Sequence, residues 1–317
     1  MKSSSTIVLE AHEISKSYNG KRVLDNLSLE IQSSDFFVLM GPNGSGKSTL
    51  LSILAGTNSF TGGTIKILGH DIQQKSLSAR KHIGYVPQDN FCSDFLTGRE
   101  NLQYFADLLG ISRPQAKEDI QQLLEMMELE DDADRKVAEY SGGMKKKLEV
   151  ATALLGDAKI LFLDEPTTGL DPVVRKDFLS ILRTINDQGT AIFLVTHIGE
   201  DAEMASRVGF MIQGEIIVEA SPEELKELSG LKNSIIIDAA PRSDELMLLL
   251  ASVSEECIVT ERDAFLELIC EDSRKMIPKI VDMLYKSGFD MHRVDTRPPS
   301  LDDVFYKLTE CPIRGEV

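Results

Sequence analysis

Gly41-Pro42-Asn43-Gly44-Ser45-Gly46-Lys47-Ser48-Thr49 is the stretch on which the reading of this chain turns. It follows Phe36-Phe37-Val38-Leu39-Met40, an unbroken apolar run of the kind that makes a strand buried on both faces, and it precedes the helical run Leu50 to Leu54. Gly41, Gly46, Lys47 and Ser48 fit G-x-x-x-x-G-K-[ST], and strand, turn and helix are the context in which that spacing has a chemical meaning. Glycines let successive N–H groups curl around an anion, and the helix behind them points its positive end at it. The loop as a whole, Pro42, Asn43, Gly44, Ser45 and Thr49 included, is therefore expected to bind the phosphates of a nucleoside triphosphate. Lys47 is expected to grip the β- and γ-phosphates, and Ser48 to ligate Mg²⁺. With glycine at about 7% of residues, chance produces this pattern in about one chain of this length in a hundred.

Outward from the loop, two more apolar runs read as buried strands: Ile160-Leu161-Phe162-Leu163 and Ala191-Ile192-Phe193-Leu194-Val195. The first ends in Asp164-Glu165, at the edge where a parallel sheet presents its ligands. The adjacent carboxylates invite two roles, Asp164 as a Mg²⁺ ligand and Glu165 as general base toward water. The second run leads into His197. Leu27, Leu29 and Ile31, and again Ile65 and Ile67, alternate with polar residues as strands with one wet face do. From about residue 90 to 156 the text is helical, with Ile120, Leu123, Leu124 and Met127 spaced along one helix face. Ser141 is placed to cap a helix running toward Leu155, so that Ser141, Gly142 and Gly143 offer a hydroxyl and open N–H groups at a positive helix end. Lys145, Lys146 and Lys147 sit in the first turn of that helix, where cations are unfavourable unless an anion is near or solvent screens them.

Past Ser221-Pro222-Glu223-Glu224, which reads as a short helix start ended by Gly230, the runs change order. They read strand (Ser234 to Asp238), helix (Ser243 to Ala251), strand (Cys257 to Thr260), strand (Ala264 to Cys270), helix (Ser273 to Lys286) and strand (Phe289 to Val294). That β-α-β-β-α-β order is ferredoxin-like. A last helix is expected from Leu301 to Leu308, with Ser300 as its cap. Two domains are expected, residues 1–230 and an accessory α+β domain at 231–317.

Charge and composition narrow the function. With 51 acidic against 34 basic residues the net charge is −17, which disfavours nucleic acid or an anionic membrane surface as the main partner. No apolar run reaches the roughly 18 residues that cross a bilayer, and the first residues lack a secretory pattern, so a cytoplasmic location is expected. Cys92, Cys257, Cys270 and Cys311 lack the close spacing of zinc or redox sites and read as ordinary thiols.

The motifs, in this order, resemble those of the ABC ATPase superfamily over roughly residues 6 to 220. Gly84-Tyr85-Val86-Pro87-Gln88 resembles its Q-loop, Tyr140-Ser141-Gly142-Gly143-Met144 its signature sequence, and Asp164-Glu165-Pro166 its second nucleotide motif. Gly169-Leu170-Asp171-Pro172 looks like its D-loop, Thr196-His197 its switch histidine, and Tyr18 its adenine-stacking aromatic. The resemblance implies an α/β fold, a P-loop NTPase (ABC ATPase) core with an antiparallel β subdomain and a helical subdomain. It also implies that ATP with Mg²⁺ is sandwiched between two copies of the chain. The second copy supplies Ser141, Gly142 and Gly143, and Asp171 of the D-loop is implied to contact the nucleotide as well. Catalysis is implied for Glu165, His197 and Gln88, and metal contact for Ser48, Gln88 and Asp164. The stretch Leu96 to Leu102 resembles the part that meets a membrane subunit.

Tyr140 and Met144 in the signature, and Pro299-Ser300-Leu301-Asp302-Asp303-Val304-Phe305 near the end, resemble the antibiotic- and multidrug-exporter branch. The expected partner is then an integral membrane permease on a separate chain, holding this one peripherally at the inner face of the membrane. Ala158, and Ile198-Gly199 after the histidine, depart mildly from the family pattern without touching its chemistry. The rival reading is a soluble ABC ATPase acting on ribosomes or nucleic acid; such proteins usually carry two cassettes or a long coiled-coil insertion, and neither is present here.

Overall fold

The computed structural model describes residues 6–74, 76–253, 258–261, 265–269 and 273–310. Cys257, Cys270 and Cys311, and the expected strand ends at Cys257, Ala264 and Cys270, lie outside the described residues. The chain divides into two compact units, with the boundary between Pro222 and Glu223, so the short helix expected at the end of the first domain is grouped with the second.

The first unit runs β1 (Ile7–Tyr18), β2 (Lys21–Gln32), β3 (Phe36–Met40), α1 (Lys47–Leu54), β4 (Gly62–Ile67), β5 (His70–Asp71), α2 (Ser76–Arg80) and β6 (Ile83–Val86). It continues through α3 (Gly98–Leu108), α4 (Arg113–Met126), α5 (Gly142–Leu154), β7 (Ile160–Asp164), α6 (Pro172–Asp187), β8 (Ala191–Thr196), α7 (Gly199–Ala202), β9 (Arg207–Ile212) and β10 (Glu215–Ala220). β3, β7 and β8, the three apolar runs, are buried at every position. They lie together in a six-stranded sheet of order β10-β9-β3-β8-β7-β6, parallel except for β10. Residues that show no alternation thus occupy strands covered on both faces. Phe37 stacks on Phe193 at 5.1 Å between ring centroids, and Phe162 lies 5.6 Å from Phe193. Each fully buried ring is worth about 1.5–3 kcal/mol relative to exposure, so these side chains hold the middle of the sheet in register.

A second, antiparallel sheet has the order β2-β1-β4-β5. In β2 the alternating Leu27, Leu29 and Ile31 face inward, and in β4 Ile65 and Ile67 do so. Between β6 and β7 come the helices: Ile120, Leu123, Leu124 and Met127 are all buried, as one amphipathic face requires. α3 is closed by a capping box in which Thr97 Oγ1 accepts from Glu100 N while Glu100 accepts from Thr97 N.

Topology places the motif loops on one edge. β3, β8, β7 and β6 are sheet neighbours, and Met40 pairs with Thr196, Asp164 with Val195 and Val86 with Leu163. The loops that follow these strands, at Gly41, His197, Glu165 and Pro87-Gln88, therefore leave the sheet side by side at its carboxyl edge.

The second unit contains α8 (Pro222–Ser229), β11 (Ser234–Ala240), α9 (Asp244–Ala251), β12 (Ile258–Glu261), β13 (Leu266–Ile269), α10 (Ser273–Lys286), β14 (Asp290–Arg297) and α11 (Leu301–Thr309). Gly230 ends α8 at φ +63°, Ser243 caps α9, and Ser300 with Asp303 forms a capping box at α11. The sheet order is β12-β13-β11-β14, antiparallel throughout, and α9 and α10 bury Leu246, Leu250, Ile280 and Leu284 with Ile235, Ile237 and Leu268. β14 continues three residues past Val294, to Arg297. It is an edge strand exposed along almost its whole length, so its last residues carry no apolar alternation that could have announced it.

Candidate active site

The backbone of the phosphate loop explains its glycines at two positions. Gly46, the residue before α1, sits at φ +109°, a left-handed conformation that side chains rarely adopt. At Gly41 a Cβ would lie 2.2 Å from the Met211 carbonyl oxygen, so only glycine lets β9 pass this close. Lys47 is buried and its Nζ donates to the carbonyls of Gly41 at 2.7 Å and Pro42 at 3.0 Å, drawing the loop around its own ammonium group. Burial pulls the lysine below its ordinary pKa, against the opposing charges of Glu165 and Asp164. Phosphate oxygens against it would offset the cost of that burial.

Behind the loop, Ser48 Oγ donates to Asp164 Oδ1 at 3.0 Å, which joins the start of α1 to the end of β7. Burial raises the Asp164 carboxyl, assisted by the neighbouring Glu165 charge and opposed by the Ser48 bond. Glu165 lies at φ +47°, in the left-handed region where a non-glycine residue is strained and must be held by its surroundings. Its N–H donates to Val195 O at 2.9 Å. Its Oε2 accepts from Gln88 Nε2 and from Thr168 Oγ1, both at 3.4 Å. Its Oε1 stands 3.2 Å from His197 Nδ1. The two are at ion-pair range but not aligned for a hydrogen bond, and Nδ1 is buried without a hydrogen-bond partner.

A cavity of about 460 Å³ gathers Tyr18, residues Asn43, Gly44 and Gly46 to Thr49 of the loop, Gln88 and Glu165. Tyr18 is 43% exposed; its hydroxyl accepts from Asn58 Nδ2 at 2.7 Å, and Lys16 Nζ stands 4.7 Å from the ring centroid. Gly41, Pro42 and Ser45 belong to the loop but do not line the cavity; neither do Asp164 and His197, which touch the lining residues Ser48 and Glu165.

Ser141, Gly142 and Gly143 do not line it either. Ser141 caps α5 by accepting from Met144 N at 3.3 Å, and Ser141 and Gly142 are exposed. Asp171 caps α6, its Oδ1 accepting from Val173 N and Val174 N. The lysines of α5 turn out to have their anions within the chain. Lys145 pairs with Asp94 at 2.7 Å, Lys146 with Glu149 at 2.9 Å, and Lys147 with Glu128 at 2.8 Å and Asp177 at 2.7 Å. Glu149 is fully buried, which raises its carboxyl against the pull of Lys146. Lys146 Nζ also donates to Gln88 O at 3.2 Å, so α5 holds the backbone of the residue whose side chain reaches Glu165.

Sequence reading did not find Thr167, Asp201 or the hydroxyl of Thr196 as a set. Asp201 Oδ2 accepts from Thr167 Oγ1 at 2.5 Å and from Thr196 Oγ1 at 2.7 Å, and all three residues are 0% exposed. The partners are far apart in the chain, and no spacing rule links them. Arg99 and Glu100, expected near a membrane partner, are engaged locally, Arg99 with Asp134 and Glu100 in the cap of α3. Cys92 is half-buried, and burial pushes its thiol up to about 12, as expected of an ordinary packed cysteine.

Comparison with known proteins bears on the whole chain. The family model described as ABC transporter matches residues 24–168. A Nod factor export ATP-binding protein I from Rhizobium sp. (strain N33) is 37% identical over 308 residues, 96% of this chain and 98% of the relative. A daunorubicin resistance ATP-binding protein from Streptomyces coeruleorubidus is 34% identical over 298 residues, 93% of each chain. Among solved structures, the dimeric post-hydrolysis state of an ATP-binding cassette bound to ADP and Pi is similar with a TM-score of 0.60 and 28% identity, covering 67% of this chain and 98% of that one.

Proposed function

Because the chain belongs to the ABC transporter ATP-binding family and is an ATPase, we propose that it drives an exporter whose membrane-spanning permease is a separate protein. The observation that carries the catalytic part is the grouping of His197 and Gln88 around Glu165, at 3.2 Å and 3.4 Å, with Glu165 and Gln88 lining the cavity at the phosphate loop. Lys47 and the N–H groups of residues 44–49 bind the triphosphate, and Tyr18 offers its ring to the base. Glu165 takes a proton from the attacking water, while His197 and Gln88 keep the carboxylate and the water in line.

The donor set suits Mg²⁺. Ser48 Oγ and Asp164 Oδ1 are hard oxygen donors 3.0 Å apart, with Gln88 nearby, and no cluster of three or more His, Cys, Asp or Glu stands ready for an ion among the described residues. Mg²⁺ is commonly held this way, by one or two protein oxygens together with substrate phosphates. When bound it neutralises charge on the phosphate oxygens. The chain's own part is to present those oxygens and to keep Asp164 beside Ser48.

Ser141, Gly142 and Gly143 act on the ATP held by a second copy of the chain, a reading supported by the exposure of Ser141 and Gly142 and by the position of all three outside this copy's cavity. The similar ATP-binding cassette solved as a dimer supports this reading. The membrane partner meets the helical segment after Gln88. Phe95 is 88% exposed, and Tyr104 and Leu108, one turn apart on α3, are exposed beside Leu109, an apolar surface that a partner protein would cover. Among the described residues no helix is long and apolar enough to cross a membrane, so the membrane path belongs to the partner. The second unit is read as a ferredoxin-like accessory domain, residues 223–310, supported by its strand order β12-β13-β11-β14. Nothing favours action on ribosomes or nucleic acid, and the charge of −17 opposes it.

Affinity purification from native membranes tests the transport reading. An integral membrane protein recovered in fixed proportion with the chain is the expected result; ribosomes or DNA in its place would overturn it.

A further inference from the structure

The catalytic pair has an unusual support problem. Glu165 holds a left-handed backbone at φ +47°, and its side-chain bonds to Gln88 and Thr168 are long. His197 Nδ1 has no hydrogen-bond partner, so no bond at that nitrogen fixes the ring's rotation. Neither side chain is locked by its own contacts. The position of each then depends on the segments that carry them, residues 164–168 after β7 and 196–198 after β8.

One buried oxygen joins those segments. Thr167 lies two residues after Glu165, and Thr196 immediately precedes His197. Both hydroxyls donate to Oδ2 of Asp201, at 2.5 and 2.7 Å. A carboxylate oxygen has no proton to give, so both hydroxyls are the donors, and Thr196 Oγ1 in turn accepts from Ile198 N at 3.0 Å. The result is a closed chain of bonds from the backbone after His197, through Thr196 and Asp201, to the backbone after Glu165. In a dry setting such bonds are strong and an unmade one is costly. Arg175 and Glu200, which pair at 3.2 Å, are the charged groups facing this carboxylate.

We propose that Asp201 is a positioning residue for ATP hydrolysis, whose single oxygen Oδ2 sets Glu165 and His197 at their working separation by tying Thr167 to Thr196. The proposal rests on the catalytic reading of Glu165 and His197. It makes a distinction that general packing does not. Both bonds end on one oxygen, so an amide can accept both with its own oxygen in the same place, whereas a methyl group accepts neither.

The test is steady-state ATP hydrolysis by the full-length protein, with kcat and KM resolved, alongside nucleotide affinity and thermal melting. The expected result for Asp201→Ala is a fall in kcat of about 100-fold, the scale of a misplacement of about 1 Å, with affinity for ATP within about twofold. Asp201→Asn is expected to keep kcat within about threefold of the unaltered protein, because both hydroxyls retain an acceptor. Should Asp201→Ala fail to fold, Thr167→Val and Thr196→Val each remove one donor at near-constant volume and are expected to lower kcat about tenfold at unchanged KM. Equal losses for Asn and Ala, or an unchanged kcat in Ala accompanied only by a lower melting temperature, would overturn the proposal. So would threonine variants with unaltered kcat. Glu165→Gln and His197→Ala serve as controls: if they hydrolyse ATP normally, it is the catalytic reading itself that has failed.

Discussion

Two helices in the first unit open on glycine-rich turns, and they differ in what lies around the opening. α1 begins at Gly46 in a left-handed conformation with no side-chain cap, and its first residue, Lys47, is turned into the loop against the carbonyls of Gly41 and Pro42. α5 begins at Ser141, which caps it, and its lysines point away to Asp94, Glu149, Glu128 and Asp177. At α1 the positive helix end and the ammonium act on the same place, so the opening can enclose a highly charged anion. At α5 the cations are already neutralised, and only a hydroxyl and N–H groups are left to offer. On the proposed function, one opening holds a phosphate chain, and the other recognises an anion that something else holds.

The largest effect expected from this contrast is at the carboxylate beside the first opening. Glu165→Gln keeps shape and hydrogen-bonding capacity but removes the base, so kcat should fall by about 10² to 10⁴-fold while nucleotide affinity is preserved. Single-turnover hydrolysis and equilibrium nucleotide binding on the same sample check this. Turnover that survives the substitution would mean the first opening only binds, as the second does, and the contrast would lose its catalytic half.

A second test addresses the claim that the lysines of α5 are satisfied internally. Glu149 is 0% exposed and Lys146 nearly so, and a buried charge deprived of its partner costs about 3–5 kcal/mol. Glu149→Leu alone is expected to destabilise by that amount in denaturant unfolding. Adding Lys146→Met should recover most of the loss, because an apolar pair replaces the ionic one. Additive losses in the double-mutant cycle would show that the two residues are not a pair.

How far these features were legible in the sequence follows from how local their causes are. The buried strands β3, β7 and β8, the caps at Ser141 and Ser300, and the loop from Gly41 to Thr49 each depend on residues within one turn or one strand, and short-range pattern carries them. The left-handed backbone at Glu165, the bond from Lys146 to Gln88 O and the meeting of Thr167 and Thr196 at Asp201 depend on chain segments brought together by the sheet. No periodicity encodes them. The three lysines of α5 were legible as a conflict with the helix end, but the carboxylates that resolve it come partly from 51 and 19 residues away, at Asp94 and Glu128. The end of β14 was missed for the opposite reason, since an exposed edge strand needs no apolar pattern at all.

A third measurement sets the two openings directly against each other. Lys47→Met removes charge-assisted bonds of about 1.5–3 kcal/mol and should weaken ATP binding by about 10- to 150-fold. Lys145→Met removes a partly exposed pair with Asp94, for which about 0–1 kcal/mol is typical, and should leave both ATP binding and ATP-dependent association within about fivefold. Isothermal titration for the first quantity and sedimentation for the second give the comparison. If Lys145→Met abolished association, a lysine of α5 would be an anion ligand after all.

The smallest effect expected is at Tyr18, on the rim of the first opening. One face of the ring is approached by Lys16 Nζ at 4.7 Å, which leaves the other for a base, and the hydroxyl is tied to Asn58 at 2.7 Å. Stacking of a base on an aromatic ring is worth about 1–3 kcal/mol, and a ring that stays 43% exposed belongs at the low end of that range. Tyr18→Ala should therefore weaken ATP binding about fivefold. Tyr18→Phe keeps the face and loses only the bond to Asn58, so it should bind within about twofold of the unaltered protein. The same substitutions should weaken GTP by similar factors, because a π-face is present on either base. A large loss with ATP and none with GTP would mean that Tyr18 reads the edge of adenine and not its face.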